Sequence, residues 1–193
     1  TYVEEAHEAD TLEITLYDDL MQTELILSYT IFNDYAAIAR SARFINKGEK
    51  TIVLERAMSA SIDFIDSNFE MMQLSGAWAR ERHIKTRKLQ QGIQGIYSTR
   101  GASSAEHNPF IALKRPNTDE NCGEVYGFSL IYSGNHYCAV QTDTFQHSRV
   151  LLGIHPDTFQ WRLAPGESFQ TPEAVMVYSG SGIGGMSRTF HRL

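Results

Sequence analysis

Apolar and polar residues alternate with a period of two along most of this sequence, and no other feature constrains the fold as tightly. In TLEITLY the rhythm places Leu12, Ile14 and Leu16 on one face, and after the turn-like YDDLMQ the run TELILSYTIF continues in the same manner. Successive side chains of a β-strand point to opposite faces, whereas an amphipathic helix needs apolar residues three and four apart. The two runs read as a hairpin or as neighbouring strands. AIARSARFIN alternates again and ends in the turn residues of NKGEK, after which TIVLERAMSASIDFI resumes, as in a second long hairpin. HIKTRKL, GIQGIYSTR, FIALKR, EVYGFSLIYS, YCAVQTDTF, SRVLLGI, FQWRLAP and SFQTPEAVMVYS follow, each set off by Gly, Pro, Asn or Asp. That makes about twelve candidate strands and no interior helix of ordinary length. The expected fold class is all-β: a large antiparallel two-sheet β-sandwich, bigger than an immunoglobulin domain. No fixed-period repeat points to a propeller or solenoid, and no low-complexity linker divides the chain.

A length of 193 residues suits one large domain with a full core, and 42% apolar with 21% charged residues is an ordinary globular balance. The formal charge is −6 and the basic residues are scattered, RERHIKTRK apart, so neither nucleic acid nor an anionic membrane is an expected partner. No apolar run reaches the ~18 residues that spanning a bilayer requires, and TYVEEAHEAD lacks the basic-then-apolar plan of a signal peptide. Cys122 and Cys138 are the only cysteines; in a chain this large they read as free thiols, which favours a reducing, cytoplasmic location. A start at Thr1 without Met and a stop where a helix could begin lead us to expect a piece of a longer protein.

Four clusters could carry chemistry. After the strand-like 174–178, Gly180, Gly182 and Gly185 satisfy G-x-G-x-x-G. That fingerprint works inside a βαβ unit with an acidic residue ~20 positions on. Here the upstream chain reads as antiparallel and only eight residues follow, so a turn is expected instead. Asp63 and Asp66, with Glu70 beyond, could form the carboxylate pair of a glycosidase, yet beside Ser and Asn they read as turn caps. In SGAWARERH, Trp78, Arg80, Glu81, Arg82 and His83 combine an aromatic, two guanidinium forks and an acid. Such a cluster could bind sugar faces or carboxylates, but the preferred reading is an interdomain or subunit interface through Trp78, Arg80 and Arg82. Ser103, Ser104 and His107 place a nucleophile near a base without a G-x-S-x-G elbow, as in a structural loop. The seven histidines, from His7 to His191, form no ligand motif, so neither metal nor cofactor is expected.

Particular strings go further. TYVEEAHEADTLEITLYD, RSARFINKG, LSGAWARERH, RGASSAEHNPFIAL, GEVYGFSLIYSGN, PGESFQTPEAVMVYS and GGMSRTFHRL together resemble the N-terminal domain of the α-galactosidases of glycoside hydrolase family 36, in order and over essentially the whole chain. The resemblance implies a β-supersandwich over 1–180, lacking its upstream part. It implies an exit turn and the start of a linker helix over 181–193, leading toward a catalytic (β/α)8 barrel that this segment does not contain. The parent would be a retaining hydrolase that releases terminal α-linked galactose from melibiose, raffinose and stachyose, without a cofactor. The family's nucleophile lies in a K-W-D stretch of the barrel, which is absent here, so none of Asp63, Asp66, Glu70 or Glu81 is carried over and no catalytic or substrate-binding residue is assigned. The implied partners are the oligosaccharide substrate through the parent enzyme, the barrel of the same chain, and further subunits of a tetramer, whose active-site entrances such a domain can approach. Galactosyl transfer borders on hydrolysis in this family. The alternative from another class is a free-standing carbohydrate-binding β-sandwich without catalytic activity.

Overall fold

The computed structural model describes residues 8–193; the TYVEEAH part of the first family string and His7 lie outside the described residues. Along the chain come β1 (Ala9–Asp18), β2 (Thr23–Phe32), β3 (Ala37–Asn46), β4 (Ile52–Leu54), β5 (Met58–Phe64), β6 (Glu70–Ala77), β7 (Arg80–Lys88) and β8 (Gly92–Tyr97). They are followed by β9 (His107–Lys114), β10 (Val125–Ile131), β11 (His136–Thr142), β12 (Ser148–Ile154), β13 (Trp161–Leu163), β14 (Ser168–Gln170), β15 (Glu173–Ser179) and the helix α1 (Gly182–Phe190). A nine-stranded sheet runs β1-β2-β3-β15-β10-β9-β6-β7, with β14 also on β3; a four-stranded sheet runs β5-β12-β11-β8; β13 and β4 form a two-stranded ribbon. The strand pairings are antiparallel. The expected all-β, antiparallel sandwich is therefore the fold.

The core forms where the alternating faces of the two sheets meet. Ile111, Leu113, Phe128 and Leu130 of the large sheet pack against Ile96, Cys138, Val140, Val150 and Leu152 of the small one. Each such side chain contributes about 1.5–3 kcal/mol on leaving water. Phe64, Phe69 and Tyr126 close one end of this core with edge-on ring contacts of 5.1–6.1 Å. Both cysteines are free thiols: Cys122 is exposed, while Cys138 is buried and its thiol is pushed up by burial.

Two sequence expectations change. Residues 70–77 form β6, which the alternation pattern passes over, because Met71 and Met72 are both buried on opposite faces and remove the period of two. The turn at NKGEK exists, with Asn46 bonding Gly48 N and the Lys50 carbonyl, but it does not close a hairpin. Asn46 also donates to the Leu163 carbonyl, so the chain leaves the sheet there; β4 pairs with β13 and β5 with β12. On the first hairpin the alternation is right about the pleat. β1 and β2 pair over ten positions, yet the four-stranded sheet does not extend far enough to cover Leu12, Ile14 and Leu16, which stay exposed.

On the other face of the large sheet lies α1. Gly127 on β10 leaves room for Met186 and Phe190 to sit directly on the strand, where any Cβ would strike both. Met186 is buried against Ala112, Val125 and Val177, and Phe110 meets Phe190 edge-on at 5.7 Å.

Candidate functional site

Trp78 and Ala79 form the two-residue tip of the β6–β7 hairpin, between the paired Ala77 and Arg80. A tight hairpin needs left-handed backbone, normally supplied by Gly or Asn. Ala79 takes it at φ 63°, with its N–H held by Glu81 Oε1 at 2.9 Å. A register shift follows between Ser75 and Ala77, next to Gly76, whose N–H donates to the Glu106 carbonyl and whose missing Cβ lets the Arg80 backbone close in. Arg82 is left-handed as well, at φ 60°. The result is an outthrust tip: Trp78 is 89% exposed, and among the described residues Trp78, Arg80 and Arg82 make no side-chain hydrogen bond or ion pair. The whole of β7 is exposed at the sheet edge and carries Arg80, Arg82, Lys85, Arg87 and Lys88, charge that discourages unwanted strand addition.

The candidate carboxylates each have another occupation. Asp63 accepts a two-pronged bond from Arg149, at 2.6 and 2.9 Å. Asp66 accepts one from Arg115 at 2.7 and 3.2 Å and also holds Asn68 N. These arginine bonds keep both carboxyls below the usual range, so at neutral pH neither is a proton donor. Glu70 pairs with Lys114 at 2.7 Å, and Glu81 is bound to the hairpin tip.

The serine–histidine pair that the fold makes is Ser75 with His107, Oγ to Nδ1 at 2.9 Å, not Ser103 or Ser104 with His107. Gln73 Nε2 donates to Ser75 Oγ and Arg87 donates to Gln73 Oε1, each at 2.6 Å. Burial lowers the His107 pKa, partly offset by Glu106. The four side chains form a strap across β6, β7 and β9 in which the hydroxyl is engaged on both sides. Among the described residues no three His, Cys, Asp or Glu side chains converge as a metal site would require.

The glycine motif proves to be the opening of α1. Gly182 N donates to the Gly123 carbonyl, Ile183 N to Asp119 and Gly184 N to Glu120, at 2.9–3.0 Å. A helix N-terminus binds phosphate only if these N–H groups are free, and here the loop between β9 and β10 occupies them. Gly182 sits at φ +75°, and a Cβ there would lie 2.6 Å from the Asp119 carbonyl oxygen, so glycine serves the close approach of two backbones.

Known proteins give this geometry its context. The model of the glycosyl hydrolase family 36 N-terminal domain matches residues 1–164. The chain belongs to that family. Alpha-galactosidase AgaA of Geobacillus stearothermophilus is 53% identical over 193 residues, which is all of this chain and 26% of that protein. Alpha-galactosidase Mel36A of Lactobacillus acidophilus is 44% identical over the same length, again 26% of its own chain. A solved structure of a variant of the Geobacillus enzyme in complex with stachyose superposes with a TM-score of 0.98, covering all of this chain and 27% of that one. A second, in complex with raffinose, has the same score and coverage. This family 36 N-terminal domain thus spans about a quarter of the length of the curated relatives it matches.

Within the domain, sequence spacing located the Trp78 cluster because its members are neighbours in the chain. It could not join Ser75 to His107, which lie 32 residues apart and meet only through β6–β9 pairing. Nor could it pair Asp63 with Arg149, 86 residues away.

Proposed function

We propose that this chain is the non-catalytic N-terminal sandwich of an α-galactosidase, a retaining glycoside hydrolase that releases terminal α-linked galactose from oligosaccharides of the melibiose and raffinose type. The observation that carries the reading is 53% identity, kept over all 193 residues, to a protein four times as long whose printed name is alpha-galactosidase. In such an enzyme a neutral carboxylic acid protonates the leaving oxygen while a carboxylate attacks the sugar, and the first group then activates water. The engagement of Asp63, Asp66, Glu70 and Glu81 in local bonds supports placing those two groups elsewhere, on a barrel beyond this segment. No cofactor takes part. No helix among the described residues is long and apolar enough to cross a membrane, and a cytoplasmic setting agrees with the free thiols.

The domain's own task is structural. The sandwich domain is assigned to 1–180, of which residues 1–7 lie outside the described residues, and 181–193 to the start of the passage to the barrel. The tip at Trp78, Arg80 and Arg82 docks on another domain or on a neighbouring subunit of a homotetramer, beside the entrance to an active site. An exposed indole flanked by guanidinium groups that have no partner among the described residues is the composition of interface hot spots.

The test uses the full-length protein. Galactose release from raffinose is expected, and Trp78→Ala with Arg80→Ala and Arg82→Ala is expected to alter the assembly state in sedimentation or the thermal stability of the assembled enzyme. A variant that assembles and melts like the wild type would remove the interface reading, and a full-length protein that releases no galactose would remove the enzymatic one.

A further inference from the structure

A cleft of about 580 Å³ opens where the end of β10, the turn into β11, the β13 ribbon and the β14–β15 link come together. Its walls carry Tyr132, Phe159, Trp161 and Phe169, with Asn135 and Gln170 among the polar groups. Trp161 is 48% exposed and Tyr132 37%, so two large rings offer their surfaces to solvent. Neither is loose. Phe169 props Trp161 at 5.2 Å between ring centroids and Phe159 at 5.3 Å, and β13 is pinned to β4 by the pairing of Trp161 with Leu54. The Tyr132 ring packs on Gly134, where a Cβ would strike it.

We propose that this cleft is a non-catalytic carbohydrate site that holds one or two rings of a neutral oligosaccharide. Three observations select that ligand. None of the described residues lining the cleft carries a charge, which disfavours phosphates, carboxylates and acidic peptides as ligands. The exposed rings are rigid and amphipathic. A pyranose turns an array of C–H bonds outward from its ring faces, and those hydrogens meet the electron-rich face of an aromatic ring. Finally, the exposed Gln170 amide and the Tyr132 hydroxyl have no hydrogen-bond partner among the described residues. They present donors and acceptors at the rim, where sugar hydroxyls would lie. A purely apolar occupant such as an acyl chain would strip water from those groups without replacing it. The volume lies within the range of small-molecule sites.

The inference does not rest on the α-galactosidase reading, and its test is independent of any catalysis. Trp78→Phe leaves Trp161 as the single tryptophan, so its fluorescence reports on the cleft. Titration of that chain with raffinose is expected to give a saturable change, matched by calorimetry. Tyr132→Ala and Trp161→Ala are each expected to weaken raffinose binding about tenfold in calorimetry, and Gln170→Ala to weaken it measurably, with thermal transitions showing that every variant is folded. Absence of saturable binding, or binding that the three variants leave unchanged, would overturn the proposal. So would a full-length protein in which oxidative footprinting, read by mass spectrometry at Trp161 itself, shows the indole shielded, since another domain would then fill the cleft.

Discussion

The guanidinium carbon of Arg115 lies 3.9 Å above the centre of the Phe69 ring. From there its nitrogens reach Asp66 at 2.7 Å, Glu124 at 2.8 Å and the Asn68 carbonyl at 3.3 Å. The residue thus ties the segment after β5 to the β9–β10 loop across an aromatic floor. Glu124 also accepts from Tyr126, whose phenol is pushed up to about 12 by burial and by that bond.

Removing that tie should be costly and pH-dependent. Arg115→Ala is expected to destabilise the chain by about 2 kcal/mol at neutral pH, after allowance for the partial exposure of both carboxylates. Asp66 and Glu124 are held below their usual range, chiefly by Arg115. A depressed carboxylate contributes stability that is complete above its unfolded pKa and lost as pH falls through the folded value. The gap between wild type and variant should therefore narrow as pH drops below ~4, as measured by urea midpoints across pH.

His136 predicts a second acid effect at higher pH. It is fully buried, and among the described residues neither ring nitrogen has a well-formed hydrogen bond, the Gly134 backbone offering only a weak contact. Burial lowers its pKa to about 4, outweighing the nearby Gly134 backbone, with His107 and His155 pushing the same way when charged. The unfolded chain takes up this proton near pH 6.5 and the folded one only near 4, so stability falls across that window by about 3 kcal/mol. His136→Leu is expected to flatten the slope of melting temperature against pH there.

The glycines of the terminal motif should differ sharply in tolerance. Gly182→Ala forces a side chain into left-handed backbone against the Asp119 carbonyl and is expected to cost about 2 kcal/mol. At Gly180 a Cβ would lie 3.4 Å from the Tyr178 hydroxyl, an ordinary contact, and Gly180→Ala should stay within about 0.5 kcal/mol. Thermal melts of both variants decide the point. A phosphate cradle would instead need Gly180 and give stabilisation by NAD.

Two apolar residues give an equally sharp contrast. Met186, buried between α1 and the large sheet, should cost about 3 kcal/mol when replaced by Ala. Trp78→Ala, at the exposed tip, should leave the chain within about 0.5 kcal/mol of wild type in chemical denaturation.

Much of the sandwich is written in its alternation. TLEITLYD and TELILSYTIF state their strands outright, and the short connection between them narrows the pairing to a hairpin or neighbouring strands, of which the hairpin forms. Where both faces are buried, as at Met71 and Met72 of β6, the rhythm that identifies a strand disappears. Long-range pairing is hidden for a different reason: β4 meets β13 and β5 meets β12 through sheet crossings that no local residue records. The Trp78 cluster was legible because its members are adjacent. Its hairpin tip was not, because Ala79 and Arg82 take left-handed backbone without the Gly or Asn that normally announces it. The cleft at Trp161 draws on segments from Gly101 to Pro172, and nothing in FQWRLAP alone indicates that Tyr132 faces it.

The most direct measurement is nitrophenol release from a nitrophenyl α-galactoside, run on the 193-residue chain, on the full-length protein, and on full-length Asp63→Asn and Asp66→Asn variants. The account predicts release by the full-length protein and by both variants, and none by the chain alone. Release by the isolated chain, or its abolition by either substitution in a protein that still folds, would contradict it.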